Sequence, residues 1–312
     1  MSTAPCIVYM GTADFGVPAL SALHHTFGVK AVVTIPDVPV GRGRSVKPSP
    51  IKTAALNLGI ETILQPASLR DPEFVEELRQ LQPDIICVIA FRILPRVVYS
   101  LAKRGAFNVH GSLLPKYRGA APIHHAIMNG DDVSGVTSFL LNDVVDTGTM
   151  LCRAEQAIPD GTTTGELYAA LMPHAANVAV QTVHLLLQDE ITPQVQDESL
   201  ASAAPKVWRE HSSIDWQKPA RRVRQFILGL SPLPCAWTMM NGDRVKIYRA
   251  SVAGGIAMPA GSWKMDGSDW YVGCGDTALR LEEVQLPGKP PMKTEDFLRG
   301  WRGDKSGLFA RE

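Results

Sequence analysis

Net charge is missing from this chain: 31 lysines and arginines offset 31 aspartates and glutamates over 312 residues. No global field therefore draws the whole molecule toward nucleic acid. Cysteine is sparse, and the five present (Cys6, Cys87, Cys152, Cys235 and Cys274) lie far apart without a CxxC spacing, which leaves them as reduced core thiols. No apolar run reaches the roughly 18 residues of a membrane-spanning helix. No N-terminal stretch combines a basic segment, an apolar run and a cleavage site, so a cytoplasmic enzyme with no membrane partner is the expectation. Internal repeats and low-complexity segments are also missing. With 45% hydrophobic and 20% charged residues the composition is that of a globular protein, and the length allows two domains.

Several familiar motifs are absent too. The glycine-containing turn Gly11-Thr12-Ala13-Asp14-Phe15-Gly16 is not GxGxxG, and no acidic residue ends a second strand in the usual place, which argues against dinucleotide binding. The turn either lines a substrate pocket or permits tight packing. There is no Walker pattern. Without GxSxG, or a Cys beside a His in sequence, a covalent acyl-enzyme is not favoured. Paired histidines such as His124-His125 lack carboxylate or Cys partners at ligand spacing, so no metal is expected.

What is present is alternation. Apolar runs at Cys6–Met10, Val29–Ile35 and Asp84–Phe91 alternate with helical patterns at Val17–Phe27, Ile51–Leu58 and Glu73–Leu81, the mark of βαβ units and a parallel sheet. Phe107–Leu114 and Val136–Leu141 read as further strands, with a helix at Ile123–Met128 between them. Thr163 and Glu166 form a capping box before a long helix over Leu167–Leu187. The polar stretch from Thr192 to Pro205 reads as a linker. Beyond it Arg221–Leu230 is a helix, and Ala236–Met240 and Arg244–Arg249 flank Asn241-Gly242, a strong hairpin signal. Asp266-Gly267 suggests another turn before a strand at Trp270–Val272. The expected fold is α/β: a Rossmann-like, doubly wound parallel sheet over 1–190, a linker over 191–206 and a small antiparallel β-barrel over 207–312.

Charge is uneven between these parts. Residues 1–205 carry 14 basic against 19 acidic side chains, and 206–312 carry 17 against 12, giving −5 and +5. The basic half suits a polyanion.

Chemistry concentrates at Phe107–Gly119. In a strand, residues two apart share a face, so Asn108 and His110 project together near the carboxyl end of a sheet strand, where such folds bind ligands. Asp146 follows the next strand in a loop with Thr147 and Gly148. Acyl transfer to an amine needs an oxyanion stabiliser, a base for the attacking nitrogen and an acid for the leaving one. An amide, an imidazole and a carboxylate can supply all three. The Asn108 amide can donate to the oxyanion, His110 can donate or exchange protons, and Asp146 can orient His110 or take the amine proton.

Asn108-x-His110, running into Ser112-Leu113-Leu114-Pro115-x-x-Arg118-Gly119 with Asp146-Thr147-Gly148 downstream, resembles the 10-formyltetrahydrofolate-dependent formyltransferases. The likeness extends from Gly11-Thr12 through Ile214-Asp215-Trp216 and Pro234 to Trp237, and points to the branch whose acceptor is initiator methionyl-tRNA. It implies a C-terminal domain of OB-fold type and 10-formyltetrahydrofolate as formyl donor; a monomer is the expected state. Asn108, His110 and Asp146 match the family's catalytic positions. Ser112, Leu113, Leu114 and Pro115 match its folate motif, with Ile89, Phe91, Ile93 and Leu94 expected to line the pterin pocket. The loop Pro36–Lys52 corresponds to one that reaches the tRNA acceptor stem, making Arg42, Arg44 and Lys47 candidate contacts. Arg221, Arg222, Arg224, Lys246 and Arg249 are candidates for the tRNA backbone. In one departure, Ala90–Pro95 is a residue shorter than usual and sets Arg92 beside the expected pocket. Formyltransferases acting on amino sugar nucleotides or glycinamide ribonucleotide, a formyl-folate hydrolase and a non-catalytic tRNA-binding protein of the same fold are the rivals.

Overall fold

Ile7–Gly11 (β1) is enclosed along its whole length, as a strand must be when helices cover both faces of its sheet. The computed structural model describes residues 4–40 and 45–310. Chain contacts divide them into two units. The first comprises 1–119, 133–157 and 168–204, and the second 120–132, 158–167 and 205–312.

In the first unit α1 (Val17–Phe27) returns the chain to β2 (Val29–Val33) beside β1. Gly16 permits this tight entry: a Cβ there would stand 2.2 Å from the Tyr9 hydroxyl, which donates to the Gly16 carbonyl. The Gly11–Gly16 turn thus serves packing. A short ribbon of β3 (Val38–Val40) and β4 (Ser45–Lys47) leads to α2 (Pro50–Asn57), whose N-cap Ser49 accepts from the Lys52 amide, and on to β5 (Thr62–Leu64). Helix α3 (Pro72–Gln80), capped by Asp71, precedes β6 (Ile85–Ile89), and α4 (Arg96–Tyr99) precedes β7 (Gly105–His110). Helix α5 (Pro122–Asn129) belongs to the second unit; β8 (Val133–Leu140) and β9 (Met150–Ala157) then complete the sheet.

Strand order is β5-β2-β1-β6-β7-β8-β9. The first five strands are mutually parallel, and β8 and β9 are added antiparallel. The order reverses between β1 and β6, whose carboxyl ends, Gly11 and Ile89, lie side by side. That switch point opens a crevice at the sheet's carboxyl edge. The strand expected over Phe107–Leu114 ends at His110, because Ser112–Pro115 turns away. Helix α6 (Thr164–Gln188) begins with the expected box: the Thr163 amide donates to Glu166 at 2.8 Å, and the Glu166 amide to the Thr163 hydroxyl at 3.3 Å.

In the second unit α7 (Ala220–Leu230) turns Ala220, Val223, Ile227 and Leu230 inward at helical spacing. It packs on α5 through Gly229, where a Cβ would come within 2.2 Å of Met128. β10 (Ala236–Met240) and β11 (Asp243–Ala253) form the expected hairpin, with Asn241 and Gly242 both in left-handed backbone. β12 (Ser262–Asp266), β13 (Asp269–Gly273), β14 (Ala278–Gln285), β15 (Met292–Lys293), α8 (Thr294–Gly300) and β16 (Ser306–Leu308) follow. The sheet runs β10-β11-β14-β13-β12-β16, and a bridge between Met239 and Ala310 brings its far edge back to β10. Trp216, Trp263, Trp270 and Phe309 fill the interior of this curled sheet. Among the described residues no helix is long and apolar enough to cross a membrane.

Candidate active site

β7 lies between β6 and β8 and carries Asn108 and His110 to the crevice. His110 is buried, with Nε2 2.8 Å from the Tyr117 carbonyl. Only an N–H satisfies a carbonyl oxygen, so Nε2 carries a proton and Nδ1 is left facing Asp146 Oδ2 at 3.8 Å. Asn108 is half-buried, and among the described residues nothing hydrogen-bonds its amide.

Asp146 stands in left-handed backbone at φ 57°, and its Oδ2 accepts from the Gly119 amide at 2.8 Å. Its loop is tied by Asn142, whose Oδ1 accepts from the Val144 amide at 3.1 Å and from the Thr147 hydroxyl at 3.2 Å. Gly148 leaves no room for a side chain: a Cβ would lie 1.6 Å from the Leu140 carbonyl oxygen. The structure brings His110 and Asp146 within 3.8 Å of each other, and Asn108 lies two residues before His110 on the same strand.

The expected folate motif is largely occupied by the protein itself. Ser112 is fully buried and donates to the Lys116 carbonyl at 2.6 Å, while Thr137 Oγ1 donates to the Ser112 carbonyl and accepts from the Leu114 amide. Leu114 is buried, and the Leu114-Pro115 peptide is cis. Half-buried Leu113 and Pro115 are the members with surface to offer a ligand. Of the other expected lining residues, Ile89 is enclosed in β6, Leu94 is buried, Phe91 is half-buried and Ile93 is 77% exposed. Arg92 is bound to main-chain oxygens of another loop. Its guanidinium lies 5.1 Å from the Phe91 ring centroid and donates to the Pro66 and Ala67 carbonyls at 3.0 Å, tying one loop to another.

The candidate basic residues divide. Arg42 and Arg44 lie outside the described residues, and Lys47 is exposed at the end of β4. Arg221 and Arg222 are exposed on α7, and Lys246 is half-buried opposite Trp237. Arg224 and Arg249 are already engaged. Arg224 is bidentate to Asp160 at 2.6 and 2.9 Å, and Arg249 pairs with Glu166. Both are therefore held in ion pairs with neighbouring carboxylates. Among the described residues no three His, Cys, Asp or Glu side chains gather as a metal site.

Sequence reasoning missed the residues behind the site. The polar stretch expected to be a linker is anchored instead: Gln194 pairs with Met150, the Arg118 amide donates to Ser202, and the Ala204 amide donates to Arg118. Its polarity reflects hydrogen bonding, not freedom. Gln196 and Glu198 hold the Arg118 side chain, and the Glu198 carboxylate holds that guanidinium more firmly charged than usual. The one signal available was Arg118 itself, a cation inside the motif with no role of its own.

Comparison with known proteins places this geometry in context. The family model described as Formyl transferase matches residues 7–183, and that of the formyl transferase C-terminal domain matches 206–302. The chain is 42% identical over 298 residues to a methionyl-tRNA formyltransferase of Clostridium novyi, covering 94% of this chain and 96% of that protein. It is 43% identical over 310 residues to one from Porphyromonas gingivalis, covering 95% of each. In fold it is similar to an N-formyltransferase of Helicobacter canadensis, solved with folinic acid and dTDP-3-aminofucose. There the TM-score is 0.68 at 18% identity, over 90% of this chain and 99% of that one.

Proposed function

Since the chain belongs to the formyl transferase family, we propose that it moves the formyl group of 10-formyltetrahydrofolate to the amino group of methionine on initiator methionyl-tRNA. Full-length likeness to relatives named for that activity carries the reading. Likeness of fold alone would serve an amino sugar nucleotide equally well.

The residues act in a set order. As the amine nitrogen bonds to the formyl carbon, the carbonyl oxygen gains charge and the Asn108 amide, without a partner among the described residues, donates to it. With Nε2 committed to Tyr117, Nδ1 is the ring nitrogen of His110 that gives or takes a proton. A proton there is stabilised by Asp146 and donates to the same oxygen. Asp146 accepts the proton lost by the amine, directly or through a water. Breaking the bond from the formyl carbon to N10 then returns a proton to the folate nitrogen from His110, so two C–N bonds exchange with no net change in protons.

Catalysis is assigned to residues 1–190 with the connecting stretch 191–206, and tRNA binding to 207–312 with the basic loop. Arg42, Arg44, Lys47, Arg221, Arg222 and Lys246 are the proposed contacts, by virtue of their charge and, for Lys47, Arg221 and Arg222, of their exposure. The tRNA substrate places the enzyme in the cytoplasm at translation initiation, where we take it to act as a monomer.

The test is transfer of labelled formyl from 10-formyltetrahydrofolate to methionyl-tRNA, with an amino sugar nucleotide as competing acceptor. Formylated tRNA, with a loss of about 10²–10³-fold in turnover for Asn108→Ala and of most turnover for Asp146→Asn, is the expected result. Label on the sugar alone would overturn the assignment of acceptor. A folded, active His110→Ala/Asp146→Ala variant would overturn the mechanism.

A further inference from the structure

Asp146 occupies left-handed backbone, which costs a residue with a Cβ on the order of 1–2 kcal/mol and persists only where surroundings impose it. One buried amide does so here. Gln196, 4% exposed, donates from Nε2 to the main-chain oxygens of Asp146 at 2.9 Å and Gly148 at 2.8 Å. Its Oε1 accepts from Arg118 Nε at 3.0 Å and Nη2 at 2.8 Å. The guanidinium of Arg118 then closes on Glu198 through two bonds of 2.9 and 2.8 Å. The residues on either side of Arg118 touch the catalytic pair directly, since the Tyr117 carbonyl accepts from His110 and the Gly119 amide donates to Asp146. Gln196 therefore joins the turn that carries Asp146 to the segment that carries the other contacts.

We infer that Gln196, held by Arg118, is a positioning residue that sets the Asp146 carboxylate against His110 Nδ1. It reaches no reacting atom, because both amide protons end on main-chain carbonyls. What it fixes is a distance. At 3.8 Å the Asp146–His110 pair lies just outside hydrogen-bond range. A small rotation of the turn would close it into a saturated ion pair or open it until the carboxylate no longer stabilises a proton on the ring. Without Gln196 the two carbonyls are left unsatisfied beside the site, and the turn relaxes to satisfy them. The inference rests on the formyl-transfer reading and adds the residue that aligns its acid–base pair.

Gln196→Met keeps the volume and removes every hydrogen bond. The expected result is a fall in kcat of about tenfold or more with KM for 10-formyltetrahydrofolate and methionyl-tRNA within about twofold of wild type, together with a displaced pH profile of kcat. The deciding measurement is a double-mutant cycle with Asp146→Asn. If Gln196 acts through Asp146, the double variant turns over at the rate of Asp146→Asn alone. Loss by the same factor in both backgrounds, or a lowered melting temperature with kcat unchanged, overturns the inference. Should Gln196→Met fail to fold, Glu198→Gln takes its place, since that carboxylate is largely exposed. A smaller loss that vanishes in the Asp146→Asn background supports the inference, and no coupling overturns it. A wild-type protein that transfers no formyl group refutes the functional reading; an active wild type with an unimpaired Gln196→Met refutes the positioning role alone.

Discussion

At Gly148 a single missing methyl group decides whether the catalytic loop can lie against the end of β8. A Cβ would fall 1.6 Å from the Leu140 carbonyl oxygen, which is backbone and cannot swing aside. Gly148→Ala is expected to cost at least about 2 kcal/mol of stability, measured by chemical denaturation, and to abolish formyl transfer by displacing Asp146. Gly119 faces a related limit, at φ 125° with 2.6 Å between a Cβ and the Ala204 carbonyl oxygen. The proposed reacting side chains could be named from the sequence because strand alternation alone puts Asn108 and His110 on one face, and Asp146 stands in a loop one strand later. Gln196 was not legible. Its role depends on meeting Arg118 across 78 residues, and its neighbours have neither periodicity nor a motif.

Among the elements, the loop before α6 is tied to α7 by a basic side chain. Arg224 of α7 binds Asp160 with both terminal nitrogens, and that hydrogen bonding holds the Asp160 carboxyl below its ordinary value. A carboxylate whose folded pKa is depressed contributes stability above its unfolded value, about 4, and loses it as pH falls through the lower folded value. Wild-type protein should therefore lose melting temperature as pH falls below about 4 more steeply than Arg224→Met, which starts lower and stays flatter. Equal slopes in the two proteins would remove the pair from the stability of this element. Helices α1, α5 and α7 were legible from apolar spacing, and the β10–β11 hairpin from Asn241-Gly242. β9 was not, since Arg153 and Glu155 fall among its residues, and as the edge strand of the sheet it leaves much of its length half-exposed. The expected strand through Leu114 ran on because Leu113 and Leu114 are apolar; the hydrogen bonds of Ser112 and Thr137 that turn the chain carry no local signature.

For the whole molecule, zero net charge concealed an excess of cations over residues 206–312, and the structure sorts those cations by availability. Arg221 and Arg222 are exposed on α7, whereas Arg224 and Arg249 are paired. Affinity for methionyl-tRNA should fall with salt, and Arg222→Gln should reduce the slope of log K against log salt by about one, as expected for one lost phosphate contact. An unchanged slope would move the tRNA to another face. The two-part architecture was legible from the change of pattern after residue 206. Strand direction was not: β8 runs antiparallel to β7, and its buried apolar run carries no local mark of direction.

The route of the chain through the two units also fixes when the enzyme can begin to work. All three proposed reacting side chains have been made by residue 146, yet the amide that holds the Asp146 turn is residue 196, and the amide that pairs with the Arg118 carbonyl is residue 204. A nascent chain still on the ribosome with residue 190 just emerged would carry the reagents of the reaction without their alignment. The same holds for a proteolytic fragment ending after α6. Competence arrives late in synthesis, when the polar segment comes home to the motif that the ribosome released some eighty residues before.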